Sequence, residues 1–84
     1  MKKISINLDL FEDMKAFHLW LKEVCEFPSY YGCNLDALYD VLSENPKYEF
    51  EIIDSKLNSN YQSLLIYTIE DAGCTATIIS TTNE

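Results

Sequence analysis

The sequence predicts an α/β fold, a three-stranded parallel sheet packed with three or so helices in the order β-α-α-β-α-β. Residues 2–8, 48–54 and 75–81 alternate apolar with polar side chains or are rich in β-branched ones, as half-buried strands are. The stretches between them repeat apolar residues at the helical period. Strands separated by helices join through right-handed crossovers, which favour parallel pairing.

The first strand reads KKISINL, with Ile4, Ile6 and Leu8 on one face and Ser5 and Asn7 on the other. Over residues 12–26, Met14, Phe17, Trp20, Leu21 and Val24 form one apolar stripe with His18 at its edge. No second histidine exists to share a metal or a proton, so His18 reads as a packing residue. Pro28 closes this helix and FPSYYGC is a loop. Asn34 suits the N-cap of a second helix, residues 35–44, which stops before Pro46. YEFEIID is the middle strand and SKLNSN a polar connection. The third helix covers residues 61–72 with Tyr61, Leu64, Leu65, Ile69 and Ala72 inward, and Gly73 follows as its left-handed terminator. TATIIST is the last strand and TNE a polar tail.

Eighty-four residues with 48 % hydrophobic content suffice for a single domain over residues 1–84 with its own core. The start MKKISINLDLF is basic but broken by Ser5, Asn7 and Asp9, so no leader is expected. No apolar run nears the roughly 20 residues of a membrane span. Cys25, Cys33 and Cys74 are odd in number and lack CxxC spacing, which fits free thiols in a reducing cytoplasm and argues against a zinc site. The formal net charge of −8 repels phosphate backbones and anionic lipid, so neither nucleic acid nor membrane is an expected partner. A basic partner would be attracted, most strongly at low salt. The plainer reading is that this charge only maintains solubility.

The charge is unevenly placed. From Glu23 to Pro46 there is no lysine or arginine, while Glu23, Glu26, Asp36, Asp40 and Glu44 all fall in that window. Turned at 100° per residue, the second helix gathers Leu35, Ala37, Leu38, Val41 and Leu42 on its inner side. Asp36, Tyr39, Asp40, Ser43 and Glu44 gather on the other. Asp36 sits in the first turn, where a carboxylate favours the helix dipole. Asp40 and Glu44 have no such reason. Like charges at i, i+4 cost a helix about 0.2–0.5 kcal/mol. The acids are either tolerated or wait for a cation.

The string FPSYYGCNLDALYDVLS resembles the central segment of the barstar family, intracellular inhibitors of barnase-type ribonucleases. KKISIN resembles the family's first strand, FHLWLKE its first helix, and AGCTATIIS its closing glycine, cysteine and last strand. The resemblance implies a barstar-like fold. It also implies inhibition of a basic cytotoxic ribonuclease, whose active site receives an acidic helix and loop in place of RNA phosphates. By motif, Tyr30 is the loop aromatic packed on the enzyme, Gly32 and Asn34 shape the approaching backbone, and Asp36 and Asp40 are the helix acids. Asp40 is the principal phosphate mimic. Tyr39 stands where the family has a tryptophan and Ser43 where it has a threonine. Glu44 extends the acidic row.

Some positions depart from the family pattern. Cys33 replaces a loop glutamate, and Thr68 and Ala72 stand where the last helix carries acids. Asp71, one turn from Thr68, is placed where it could substitute. The segment before the last helix is also shorter. What the resemblance implies is a one-to-one complex in the cytoplasm, in the manner of an immunity protein, with no catalytic residues, cofactor or metal. The other reading keeps the same face but gives it a different basic protein as partner. An enzyme built on Asp36 and Asp40 lacks a histidine partner, a glycine-rich phosphate loop and a nucleophile–base pair.

Overall fold

The computed structural model describes residues 2–45 and 47–80. Pro46, Thr81 and the TNE tail lie outside the described residues. Within them the elements are β1 (Lys2–Ile6), α1 (Met14–Cys25), α2 (Leu35–Glu44), β2 (Tyr48–Ile53), α3 (Ser59–Asp71) and β3 (Thr75–Ile79). The order is the expected β-α-α-β-α-β. The sheet runs β1-β2-β3 with both pairings parallel.

Register places the apolar residues in rows. Ile4 pairs with Phe50 and Phe50 with Ala76, while Ile6 pairs with Ile52 and Ile52 with Ile78. Ile4, Ile6, Phe50 and Ile52 are buried and share one core with Phe17 and Leu21 of α1, Leu38 and Leu42 of α2, and Leu65 and Ile69 of α3. The alternate residues Lys3 and Glu51 stand on the outer face, paired at 2.8 Å. Burying each large apolar side chain contributes about 1.5–3 kcal/mol, so the core fixes where α2 presents its outer side.

Element ends differ from expectation for local reasons. Leu8 leaves the strand and enters a 3-10 turn, Leu8–Leu10, because the Asn7 side chain accepts from the Asp9 amide at 3.1 Å. Leu8 stays fully buried. Helix α1 starts at Met14 because Asp13 caps it, Oδ1 accepting from the Ala16 amide at 2.9 Å. Helix α3 begins at Ser59 and closes as expected, with Gly73 at φ 97° and the Cys74 amide on the Ile69 carbonyl at 3.1 Å.

One inward assignment on α3 is corrected. Leu65, Ile69 and Ala72 are buried, but Leu64 is 55 % exposed and Gln62 is buried in its stead. Gln62 lies three residues before Leu65 and seven before Ile69, on the same stripe. Its polar ends are satisfied: Oε1 accepts from the Ser55 amide at 2.6 Å and Nε2 donates to Asp54 Oδ1 at 3.0 Å.

Asp9 secures the turn before α3. Its carboxylate accepts from Ser55 Oγ (2.6 Å), the Lys56 amide (2.8 Å) and Asn58 Nδ2 (3.0 Å). The Ser55 hydroxyl first, then the Lys56 amide, hold its carboxyl below the usual 3.8. Its contribution to stability is therefore present above pH 3.8 and lost as pH falls through the lower folded value. Asp9→Ala is expected to lower Tm and to speed exchange of the Lys56 and Leu57 amides before those of β2. Amide exchange followed by NMR checks it.

Candidate functional site

The loop between α1 and α2 is held at both ends. Glu26 takes the left-handed conformation (φ 57°), and the Phe27 amide closes α1 onto the Lys22 carbonyl at 3.0 Å. A turn follows, with the Tyr31 amide donating to the Pro28 carbonyl at 3.0 Å. At the far end Asn34 caps α2, Oδ1 accepting from the Ala37 amide at 2.7 Å, while Nδ2 donates to the Gly32 carbonyl at 3.3 Å. Asn34 thus spends its side chain on the loop itself.

Adjacent tyrosines point opposite ways. Tyr30 is 79 % exposed, whereas Tyr31 is buried. The Tyr31 hydroxyl lies 2.6 Å from His18 Nδ1, and the Tyr61 hydroxyl lies 2.6 Å from Nε2. His18, expected at a stripe's edge, is in fact 1 % exposed and packed among aromatic rings. Burial drives its pKa down to about 4. Gly32 sits close against α2: a Cβ there would lie 3.3 Å from Ala37 Cβ, tighter than ordinary contact. Cys33 holds the left-handed conformation (φ 58°), an uncommon one for a residue with a Cβ.

On α2, Leu38 and Leu42 are fully buried, and Asp36, Tyr39, Asp40, Ser43 and Glu44 are exposed, as the periodicity predicts. Among the described residues no hydrogen bond or ion pair engages the Asp36, Asp40, Glu44 or Asp71 carboxylates. Lys22 reaches the loop, its Nζ donating to the Ser29 carbonyl at 3.2 Å. Ser43 Oγ donates to the Asp40 carbonyl at 3.0 Å.

Shallow grooves divide this face. Asp40 shares one of about 220 Å³ with Tyr30, Tyr31 and Gly32. Asp36 and Tyr39 share another of about 220 Å³ with Tyr67, Thr68 and Asp71 from α3. Glu44 is apart from both, in a groove of about 170 Å³ beside Glu26, Phe27 and Tyr48. The structure therefore gathers Tyr30, Gly32 and Asp40 on the loop side, and Asp36, Tyr39 and Asp71 on the α3 side. Tyr67, 69 % exposed, lines the groove of Asp36 and Asp71 and is a candidate that the sequence pattern does not bring out. Its signal lies in the spacing Leu64, Tyr67, Asp71, a second stripe on α3 that the inward reading of Leu64 obscures.

An exposed, unpaired row of acids with aromatic flanks is chemically suited to hold cations of a protein partner. Among the described residues no three His, Cys, Asp or Glu side chains gather to hold a metal, and no helix is long and apolar enough to cross a membrane.

Comparison with known proteins gives this face a context. A family model described as Barstar (barnase inhibitor) matches residues 1–67. That range takes in the loop and α2 and stops before Thr68 and Asp71. A Bacillus subtilis (strain 168) protein named "Putative ribonuclease inhibitor YrdF" is 49 % identical over 43 residues, 51 % of this chain and 47 % of that protein. The matched stretch thus spans about half the length of this curated relative. A family model that covers residues 1–67 of 84, on a chain with the matching β-α-α-β-α-β parallel sheet, settles the family: the chain belongs to the barstar (barnase inhibitor) family.

Proposed function

We propose that this chain is a protein inhibitor of a basic, barnase-like cytotoxic ribonuclease, binding one-to-one and covering the enzyme's active site. The observation that carries this reading is the α2 face, with Asp36 and Asp40 exposed, unpaired and flanked by Tyr30 and Tyr39. Asp40, beside Tyr30 and Gly32, stands in for an RNA phosphate. Asp36, with Tyr39 and Asp71, engages a second cation of the enzyme. Tyr30 covers the rim of the contact, and Ser43 and Glu44 extend it along α2. The chain acts as one domain, is not itself an enzyme, takes no cofactor or metal, and works in the cytoplasm as an immunity protein to the ribonuclease toxin. Nucleic acid and membrane are not partners.

Net charge of −8 against a basic enzyme should steer encounter. Mixing this protein with a barnase-like ribonuclease is expected to give an equimolar complex whose association rate falls steeply with added salt. Stopped-flow fluorescence across ionic strengths, with size-exclusion of the mixture, tests this. A salt-independent rate, or no complex, points to a different basic protein as partner, with Cys33, Tyr39 and Thr68 the places to look.

Asp36→Ala is expected to weaken the complex by about 1 kcal/mol, less than the loss at Asp40. Asp36 already faces the α2 N-terminus, and Asp71 remains in its groove when it is removed. Calorimetric titration of the variant measures it.

A further inference from the structure

A buried polar cluster that the acidic face does not use lies beneath the loop. His18 of α1 joins Tyr31 of the loop to Tyr61 of α3 by two contacts of 2.6 Å each. A neutral imidazole has one N–H and one bare nitrogen, so one tyrosine donates to the ring and the other accepts. Satisfying every proton decides which. Tyr31 is 6 % exposed and its hydroxyl meets the His18 ring. Its O–H must donate to Nδ1 or stand unpaired in the core. Nε2 then carries the ring proton and donates to the Tyr61 oxygen. Tyr61 is half-buried whereas Tyr31 is buried, so Tyr61 is the better placed of the two to find an acceptor for its O–H in solvent.

We propose that His18 is a positioning residue for the recognition loop: a Tyr31–His18–Tyr61 relay in the Nε2–H tautomer holds Tyr31 inside and thereby sets how Tyr30 and Gly32 stand beside Asp40. The functional weight of the relay rests on the inhibitor reading, but the relay itself is tested with no partner present. Its chemistry makes the anchor sensitive to acid. A proton added to Nδ1 makes the ring a donor at both nitrogens, and the buried Tyr31 O–H loses its acceptor. The titratable groups facing the ring are Tyr31 from the loop and Tyr61 from α3, with uncharged Phe17 from its own helix. Tyr31 in turn is close enough to the Cys25 and Cys33 thiols to feel them. Burial alone, with no charged neighbour, opposes the added proton.

Tyr61→Phe tests the relay from its far end while keeping the ring that packs on His18. Without that oxygen the Nε2–H is unpaired, and moving the proton to Nδ1 orphans the Tyr31 O–H instead. Either way the loop anchor weakens. In amide exchange by NMR on the free protein at pH 7, the Tyr31 amide of the variant is expected to lose protection about three- to tenfold, the range of one lost hydrogen bond. The Phe50 and Ile52 amides of β2 keep their wild-type protection. In the wild type, the His18 nitrogen spectrum is expected to show the proton on Nε2, and Tyr31 protection is expected to fall relative to β2 as pH approaches about 4, where burial places the ring's pKa. Equal loss at Tyr31 and β2, an unchanged Tyr31, or an Nδ1–H tautomer would overturn the proposal and leave the inhibitor reading untouched.

Discussion

Asp40→Ala is expected to weaken the complex with the ribonuclease by about 2–5 kcal/mol, or roughly thirty- to several-thousand-fold in Kd, a range to which charge pairs of barnase–barstar itself contribute. The reason lies as much in the partner as in this chain. A ribonuclease site built for phosphate holds cations that docking strips of water, and truncating the carboxylate leaves one of them buried and unpaired. Asp40 shares its groove with Tyr30 and Gly32, so a cation bound there would meet the loop as well as the carboxylate. The loss should appear mainly in the dissociation rate. The free protein should behave oppositely. Asp40 has like charges at both i−4 and i+4, Asp36 and Glu44, and removing both pairs is expected to raise stability by about 0.4–1 kcal/mol. Surface plasmon resonance and urea unfolding on the same variant separate the two effects. A stabilised protein that binds far more weakly identifies a residue retained for function against the interest of the fold.

The second large effect is on stability and has a definite direction in pH. His18 is neutral in the folded protein, its pKa driven to about 4 by burial, whereas in the unfolded chain it titrates near 6.5. Above pH 6.5 neither state binds this proton, and the contribution is constant. Between 6.5 and about 4 the unfolded state binds more, so stability falls as pH falls. Below about 4 the folded ring titrates too, and this group adds no further loss. Linkage with these two values gives a decrease of about 2 kcal/mol between roughly pH 7.5 and pH 5. In His18→Gln that slope should be absent, whatever its stability near neutral pH. Urea unfolding of both proteins at several pH values reads the difference directly. A wild-type curve flat across that window contradicts a neutral, buried His18.

Much of this molecule is legible in the sequence because its strongest signals are local. The α2 boundaries follow from the Asn34 cap, and its two faces from an unbroken helical period, so the exposure of Asp36, Tyr39 and Asp40 can be read from residue order alone. The end of α3 follows from Gly73 in the same way. What escapes depends on partners distant in the chain. Asp9 looks like one more surface acid until folding brings Ser55, Lys56 and Asn58 to it, across 46 to 49 residues. Gln62 reads as a polar break in an apolar stripe, and only the Asp54 carboxylate and the Ser55 amide explain its burial in preference to Leu64. His18 needs Tyr61, 43 residues on, to show that both ring nitrogens are engaged. The site divides along the same line. Tyr30, Gly32 and Asp40 lie on one continuous segment that the motif covers. The groove of Asp36 with Tyr67 and Asp71 exists only because α3 packs beside α2.

Whether the α2 face blocks a ribonuclease is tested most directly by titrating this protein into a barnase-like ribonuclease while RNA cleavage is followed, with Asp40→Ala in parallel. Cleavage that ends at one equivalent of wild type, and persists at the same dose of Asp40→Ala, is the result expected. Undiminished cleavage at excess wild type would contradict inhibition of this enzyme class, and equal inhibition by both proteins would contradict the assignment of Asp40.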